Sequence, residues 1–413
     1  MDNRGQFALW TPEDLPERLT REPVTFYWGI DSTADSLHAG QLVGLMAVRR
    51  LQRAGHRPIL LLGGGTTLVG DPSGKDAERP LLAPSEIEAN TAAIRAQLER
   101  FVDFGPGGAT LLNNADWLRD LRLMEFLRDV GKHVTVNVMM GKESVRTRLE
   151  GREQGISYTE FSYMLLQAYD FLHLFGERGC RMQVGGTDQW GNITLGIDLI
   201  RRATGEEAYG LAWPLLTRAD GSKFGKSEGG SVWLSADKTS PYDFFQYWLN
   251  ASDADVATYL RLFTDVPSEE VIDLLDAPPE QRAAQRRLAH DVTATVHGQG
   301  AVDGAERASA ALFGGDATTL SEDELLSVFG DAPSTDLPRS ILDGGRLLVD
   351  LAAEVGLEPS KSAARRTVTQ GGLYVNNRQE RDPDRVLREE DLLAGGYLLL
   401  RKGRKRYHLV RFG

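Results

Sequence analysis

The chain has 413 residues, 41% of them hydrophobic, and a formal net charge of -12. That is enough apolar surface for two or three domains, and it argues at first against a nucleic-acid partner, since phosphate binding needs clustered Lys and Arg. The single cysteine, Cys180, excludes an intramolecular disulfide and a Cys-rich zinc site and suits a reducing cytoplasm, while no signal peptide and no apolar run near the ~20 residues of a membrane span can be read, so neither export nor a membrane partner is expected.

In chain order, residues 24–70 predict strand, loop, helix and strand: VTFYWGI, the DSTADSLHAG bend, the apolar-periodic LVGLMAVRRLQRAG, and PILLLGGGTTLVGD. That alternation signals a parallel α/β sheet, whose ligands lie beyond the carboxyl ends of the strands. GGGTTLVGDPSGK looks like a phosphate loop but misses the GxxxxGK[ST] spacing, because Lys75 is followed by Asp76. Residues 85–104 open on Ser85, have Glu88 three positions on and repeat apolar residues at helical spacing, which predicts a capped surface helix. From about 115 to 175 the chain reads as helical and apolar, and helical patterns rich in Ala, Arg and Glu return over 241–310. Gly, Pro and small polar residues from 330 predict a linker, and residues 346–413 read as two short helices followed by strands. This tail holds 14 Lys or Arg against 9 Asp or Glu, which leaves the preceding 345 residues at -17. Its basic run RKGRKR, Arg401 to Arg406, reads alone as a solvated strand end; on a basic module joined to an acidic body it reads better as an RNA contact.

Four stretches carry candidate chemistry. In SLHAGQ, His38 stands where the bend meets a helix, so its imidazole and the free backbone N–H groups can face a phosphate. In YMLLQAYD, helical spacing puts Tyr163, Gln167 and Asp170 on one face, and three polar side chains on an apolar helix are costly to bury unless they bind something. In QVGGTDQWGN, Gly185 and Gly186 allow close approach of backbone to a ligand. KFGKS lies in TRADGSKFGKSEGG, a Gly- and Ser-dense loop whose lysines can be plain surface charges or a grip on phosphate.

Taken together, in this order and separation, the four stretches resemble the bacterial tyrosyl-tRNA synthetases, class I enzymes that activate an amino acid with ATP, and SKSAARRTVTQGGLYVN resembles the S4 RNA-binding domain. The resemblance implies a Rossmann-like parallel-sheet catalytic domain with a helical insertion over 1–220, the KFGKS loop and a helical anticodon-stem domain over 221–329, a linker over 330–345 and a small α+β S4-like domain over 346–413. It implies L-tyrosine, ATP with Mg²⁺ and tRNA(Tyr) as partners, and a homodimer whose interface includes FLRDVGKHVTVNVMM. The tyrosine carboxylate would attack the α-phosphate of ATP, and the tyrosyl group would then pass to the terminal adenosine of the tRNA. By the same resemblance, Tyr27 and Asp170 bind the substrate phenol, Tyr163, Gln167 and Asp71 its ammonium group, and Gln189 its carboxylate. Asp31 and Thr33 would lie near the α-carboxylate and the phosphates, Gly40, Gly185, Gly186 and Asp188 around the nucleotide. His38, Gln41, Lys223, Lys226 and Ser227 would serve the transition state, with Lys75 and Arg79 as contacts to pyrophosphate or tRNA. No His/Cys/Asp cluster with metal-ligand spacing is visible, so no protein-held metal is expected.

A pocket built for a hydroxyl leaves its own groups unpaired when phenylalanine enters, an effect for which tyrosyl-tRNA synthetase is itself the standard example, so no editing domain is expected. Tyr27 and Asp170 also favour tyrosine over tryptophan, whose indole offers one donor and no hydroxyl. Three positions depart from the family's usual pattern: Gln41 in place of His, Trp28 in place of Cys and Ser32 in place of Pro. A Gln amide donates a hydrogen bond but carries no charge, and an indole at position 28 adds bulk beside the ribose. These departures raise the alternative of a synthetase-derived RNA-binding paralogue that acylates poorly.

Overall fold

The computed structural model describes residues 4–71, 82–143, 145–146, 156–222, 224–227, 230–404 and 406–413. The chain divides into two compact units, Met1–Lys238 with Ala251–Leu288 and Thr239–Asn250 with Ala289–Gly413.

The first unit is built on a six-stranded sheet. Its strands β1 (Leu9–Thr11), β2 (Thr25–Ile30), β3 (Arg57–Leu62), β4 (Thr110–Asn113), β5 (Met182–Gly186) and β6 (Tyr209–Trp213) lie in the order β1-β6-β5-β2-β3-β4. All pairs are parallel except β1 on β6. Chain order runs outward from β2 through β3 to β4 and then restarts at β5 on the other side, so the strand order reverses between β2 and β5, where an open α/β sheet places its ligand crevice. The apolar runs FYW and ILLL are buried on both faces, as parallel strands covered by helices require. Successive side chains of β2 point to opposite faces. Tyr27 packs with Phe171 of the Tyr158–Arg178 helix, and Trp28 with Trp213 on the other side.

Helix ends follow the local chemistry. The Ala39–Arg53 helix begins at His38, and its buried stripe, from Leu42 through Met46 to Leu51, lies on the sheet. The Tyr158–Arg178 helix is capped by Ser157, whose hydroxyl accepts from Glu160 N, and ends at Gly179 in the left-handed region. The helix expected from Ser85 runs over Pro84–Leu98 instead, with Ala83 at the N-cap and no side-chain cap. Pro84 occupies the first turn, where its missing N–H costs nothing, and this fixes the start before Ser85 can act.

In the second unit, a five-stranded sheet has the order Arg378–Glu380, Leu373–Val375, Tyr397–Lys402, Arg406–Phe412, Ser334–Leu337. Asn376 and Asn377, with φ 51° and 65°, make the two-residue turn of its first hairpin. The helices Leu348–Glu354 and Lys361–Thr369 supply Leu348, Leu351, Ala364 and Val368 to a core with Leu373, Leu398 and Val410. Within the expected linker 330–345, Ser334–Leu337 is an edge strand pairing in parallel with Arg406–Phe412. Its flanking Pro333 and Pro338 read as linker residues, yet edge strands tolerate proline at their ends. A further cluster joins Ala308, Leu325 and Phe329 to Leu399 and Leu409 of the sheet. Among the described residues, no helix is long and apolar enough to cross a membrane.

Candidate active site

A cavity of about 740 Å³ opens in the first unit at the carboxyl ends of its strands. It gathers Tyr27, Asp31, Thr33, His38, Gly40, Gln41, Asp71, Tyr163, Gln167, Asp170, Gly185, Gly186, Asp188, Gln189 and Lys226 from five separate stretches of sequence. Ser227 follows Lys226 in a two-residue strand paired with Gly230–Ser231. Lys75, Arg79 and Lys223 lie outside the described residues.

One end of the cavity is lined by buried groups. Asp170, 2% exposed, accepts from Asn114 Nδ2 at 2.9 Å and from Trp117 Nε1 at 2.8 Å. Burial pushes its carboxyl up to about 7, against the pull of the two donors and with the nearby charge of Asp31 adding to the rise. Beside it the Tyr27 hydroxyl is fully buried and has no hydrogen-bond partner among the described residues. Burial and the Asp170 charge hold that phenol well above its ordinary pKa, so it stays a neutral O–H. A buried hydroxyl left unpaired costs ~1–3 kcal/mol, which a ligand hydroxyl between Tyr27 and Asp170 would recover.

Farther out lies a polar network. Gln189 Nε2 donates to Asp71 at 2.8 Å and Asp188 at 3.2 Å, while Asn192 Nδ2 donates to Gln167 at 2.9 Å and to Gln189 Oε1 at 3.1 Å. The Tyr163 hydroxyl donates to Asp31 at 3.1 Å, and Thr66 Oγ1 donates to the other oxygen of Asp31 at 3.0 Å. Three carboxylates, Asp31, Asp71 and Asp188, thus face a space that suits a cation such as an ammonium group.

The opposite end is made of backbone and glycine. His38 Nδ1 accepts from Gly40 N at 3.0 Å and Gln41 Oε1 accepts from His38 N at 3.0 Å, a capping box. With Nδ1 accepting, the neutral imidazole carries its proton on Nε2. The departure at position 41 therefore has a structural use: the Gln carbonyl closes the cap, and the amide N–H₂ remains a donor. The segment after KFGKS is stitched to this helix start, with Ala39 N donating to Val232 O at 2.8 Å and Leu234 N to Leu37 O at 2.8 Å. Gly225, at φ +80°, backs onto Gly40, whose N would lie 2.9 Å from a Cβ at 225. Phe224 anchors the hairpin, stacking on Phe263 with centroids 5.3 Å apart and meeting Tyr259 at 5.1 Å.

The other departures are also accommodated. Ser32 N donates to Thr67 Oγ1 at 3.0 Å, a bond that a proline could not make, and its hydroxyl accepts from Thr91 at 2.9 Å. Trp28 packs edge-on against Trp213, centroids 5.6 Å apart. The sequence reading missed Asn114, Trp117, Thr66, Asn192 and Trp213. Asn114 follows β4 directly, so the rule that sites lie past the ends of parallel strands could have flagged it. Among the described residues, no group of three or more His, Cys, Asp or Glu is placed to hold a metal ion.

A parallel sheet with a cleft at its switch point, a His-x-Gly-Gln helix start and a lysine-bearing hairpin folded onto it is the architecture of a class I aminoacyl-tRNA synthetase. The chain belongs to the family described as tRNA synthetases class I (W and Y), whose model matches residues 19–314. Residues 324–410 match the tyrosine–tRNA ligase SYY-like C-terminal domain. The chain is 54% identical to a tyrosine–tRNA ligase of Roseiflexus castenholzii, over 99% of this chain and 98% of that one. It is 50% identical to the tyrosine–tRNA ligase of Bacillus caldotenax over the same shares. Among solved structures, a C-terminally truncated Aspergillus nidulans mitochondrial tyrosyl-tRNA synthetase superimposes with a TM-score of 0.68 at 30% identity, covering 76% of this chain and 92% of that one.

Proposed function

We propose that this chain is a tyrosine–tRNA ligase: it activates L-tyrosine with ATP to tyrosyl-adenylate, releasing pyrophosphate, and transfers tyrosine to the 3′ end of tRNA(Tyr). The observation that carries the choice of tyrosine is Asp170, braced by Asn114 and Trp117 beside the unpartnered Tyr27 hydroxyl. A phenol donates to the carboxylate and accepts from Tyr27, while phenylalanine leaves the Tyr27 hydroxyl unpaired and gives Asp170 no further donor. The ammonium group lies against Asp71, Gln167 and Tyr163, and Gln189 donates to the carboxylate by turning to it the N–H that otherwise makes the longer bond to Asp188.

Adenylate formation joins a tyrosine carboxylate oxygen to the α-phosphorus of ATP and breaks the bond to the β-phosphate oxygen. ATP enters as its Mg²⁺ complex, a substrate and not a resident metal site. The protein supplies in-line positioning and donors where charge builds up: the N–H groups of the helix start, His38 Nε2–H, the Gln41 amide, Lys226, Lys223 and Ser227. Asp31, Thr33, Gly40, Gly185, Gly186 and Asp188 bed the nucleotide, and Lys75 and Arg79 reach the pyrophosphate or the tRNA. The alternative of an RNA-binding paralogue, raised by Gln41, Trp28 and Ser32, finds no support in the match to tyrosine–tRNA ligases over nearly the whole chain.

Function divides along the chain into a catalytic domain over 1–220, the KFGKS loop with the anticodon-stem helices over 221–329, and a basic S4-like domain over 346–413 that contacts tRNA. A second copy of the chain covers the exposed Leu123, Met124, Leu127, Val136 and Met140, an apolar group unusual for a monomer surface. The cytoplasm, where tRNA is charged, is its compartment. Tyrosine-dependent ATP–pyrophosphate exchange, with Phe and Trp as controls, tests the reading. Exchange with tyrosine alone is expected, and activity with Trp and none with Tyr would overturn it.

A further inference from the structure

Two indoles on the nucleotide side have no part in the reaction as described. Trp28 and Trp213 both line the cleft and are 7% and 6% exposed. Their rings meet edge to face at 84°. Both rest on Gly44, in the interior of the Ala39–Arg53 helix, where a Cβ would lie 2.7 Å from Cζ2 of each ring. Glycine weakens a helix interior unless something needs the space, and here two indoles fill it.

Cζ2 and Nε1 lie on the same edge of the indole, so the edge of Trp213 that rests on Gly44 also carries its N–H. The register of β5 and β6 sets Trp213 beside Gly186. Its Nε1 lies 3.5 Å from the point a Cβ on Gly186 would occupy, and Asp188 Oδ1 lies 2.4 Å from the same point. An indole N–H donor and a carboxylate acceptor therefore flank one glycine, and vicinal hydroxyls are a chemical match: one donates to the carboxylate, the oxygen of the other accepts from the indole.

We infer that the Trp28–Trp213 pair, seated on Gly44, is the nucleoside wall of the cleft, with the Trp213 N–H donating to a ribose hydroxyl beside Asp188 and Trp28 acting as the positioning residue that holds the indole in place. This rests on the synthetase reading above. The pair thereby sets preference for ribonucleotide over deoxynucleotide.

The test is tyrosine-dependent exchange with ATP, 2′-deoxy-ATP and 3′-deoxy-ATP for the wild type, Trp213→Phe, Trp28→Phe and Gly44→Ala. Trp213→Phe is expected to lower kcat/KM for ATP about five- to tenfold, to shrink the preference over one deoxy analogue by the same factor, and to leave KM for tyrosine unchanged. Trp28→Phe and Gly44→Ala change the same ratio in the same direction. A Trp213→Phe enzyme that loses activity equally with all three nucleotides, or loses none, overturns the assignment while the synthetase reading stands. Absence of exchange by the wild type with any amino acid overturns that reading itself.

Discussion

The two ends of the cleft are built from different materials. The end proposed for tyrosine consists of buried and half-buried side chains braced by one another: Asp170 by Asn114 and Trp117, Gln167 and Gln189 by Asn192. The nucleotide end consists of helix-start N–H groups, glycines and a hairpin whose Lys226 is exposed. A braced pocket discriminates before chemistry begins, because its groups cannot rearrange around a wrong side chain. An exposed cation beside a helix terminus contributes most when charge appears on the phosphates. On the proposed reading, selection and rate enhancement reside in separate parts of one cavity, and substitutions should separate them.

The largest effect is expected from Asp170→Ala, which removes the phenol's acceptor and takes a partner from Asn114 and Trp117. We expect kcat/KM for tyrosine to drop about a hundredfold or more with KM for ATP little changed, measured by exchange at varied tyrosine and ATP. Lys226→Ala sharpens the contrast from the other end: kcat should fall about a hundredfold, with KM for tyrosine preserved. Equal loss of ATP affinity in both variants would erase the division of labour. Asn114→Ala should raise KM for tyrosine about tenfold while sparing KM for ATP, since it withdraws one brace and leaves the carboxylate.

The smallest effect concerns pH. Burial raises Asp170 to about 7, so the carboxylate form needed to accept from a phenol is lost as pH falls below about 7. The pH profile of kcat/KM for tyrosine should decline on that side and flatten in Asp170→Asn. The linkage to stability has the opposite sense. The folded value lies above the ordinary 3.8, so the contribution of Asp170 is full below 3.8 and is lost as pH rises to about 7. Thermal melts of the ligand-free wild type should therefore lose ground to Asp170→Asn across that window.

Much of this site could be read from the sequence because its local signals are strong. The strand–bend–helix from Thr25 to Arg53 follows hydrophobic period and turn residues, and the spacing of Tyr163, Gln167 and Asp170 puts them on one helix face. What could not be read depends on contacts distant in sequence. Asn114 and Trp117 carry no periodic signature and gain meaning only when β4 brings them under Asp170, 56 and 53 positions away. Ser334–Leu337 is a strand because Arg406–Phe412 pairs with it, and its own residues argue for a linker. The place of His38 at the helix start is legible, but the capping bond its imidazole accepts from Gly40 N is not, since the capping preference for Ser, Thr, Asp and Asn gives no hint of it.

Tyr27 and Trp28 are neighbours on the central strand of the sheet, yet the pleat sends one toward Phe171 and the other toward Trp213. Sliding β2 by a single position would exchange them, putting an indole against Phe171 and a phenol over Gly44. An insertion or deletion between Thr25 and Ile30 would therefore exchange the two rings at once, even if every hydrogen bond of the sheet re-formed.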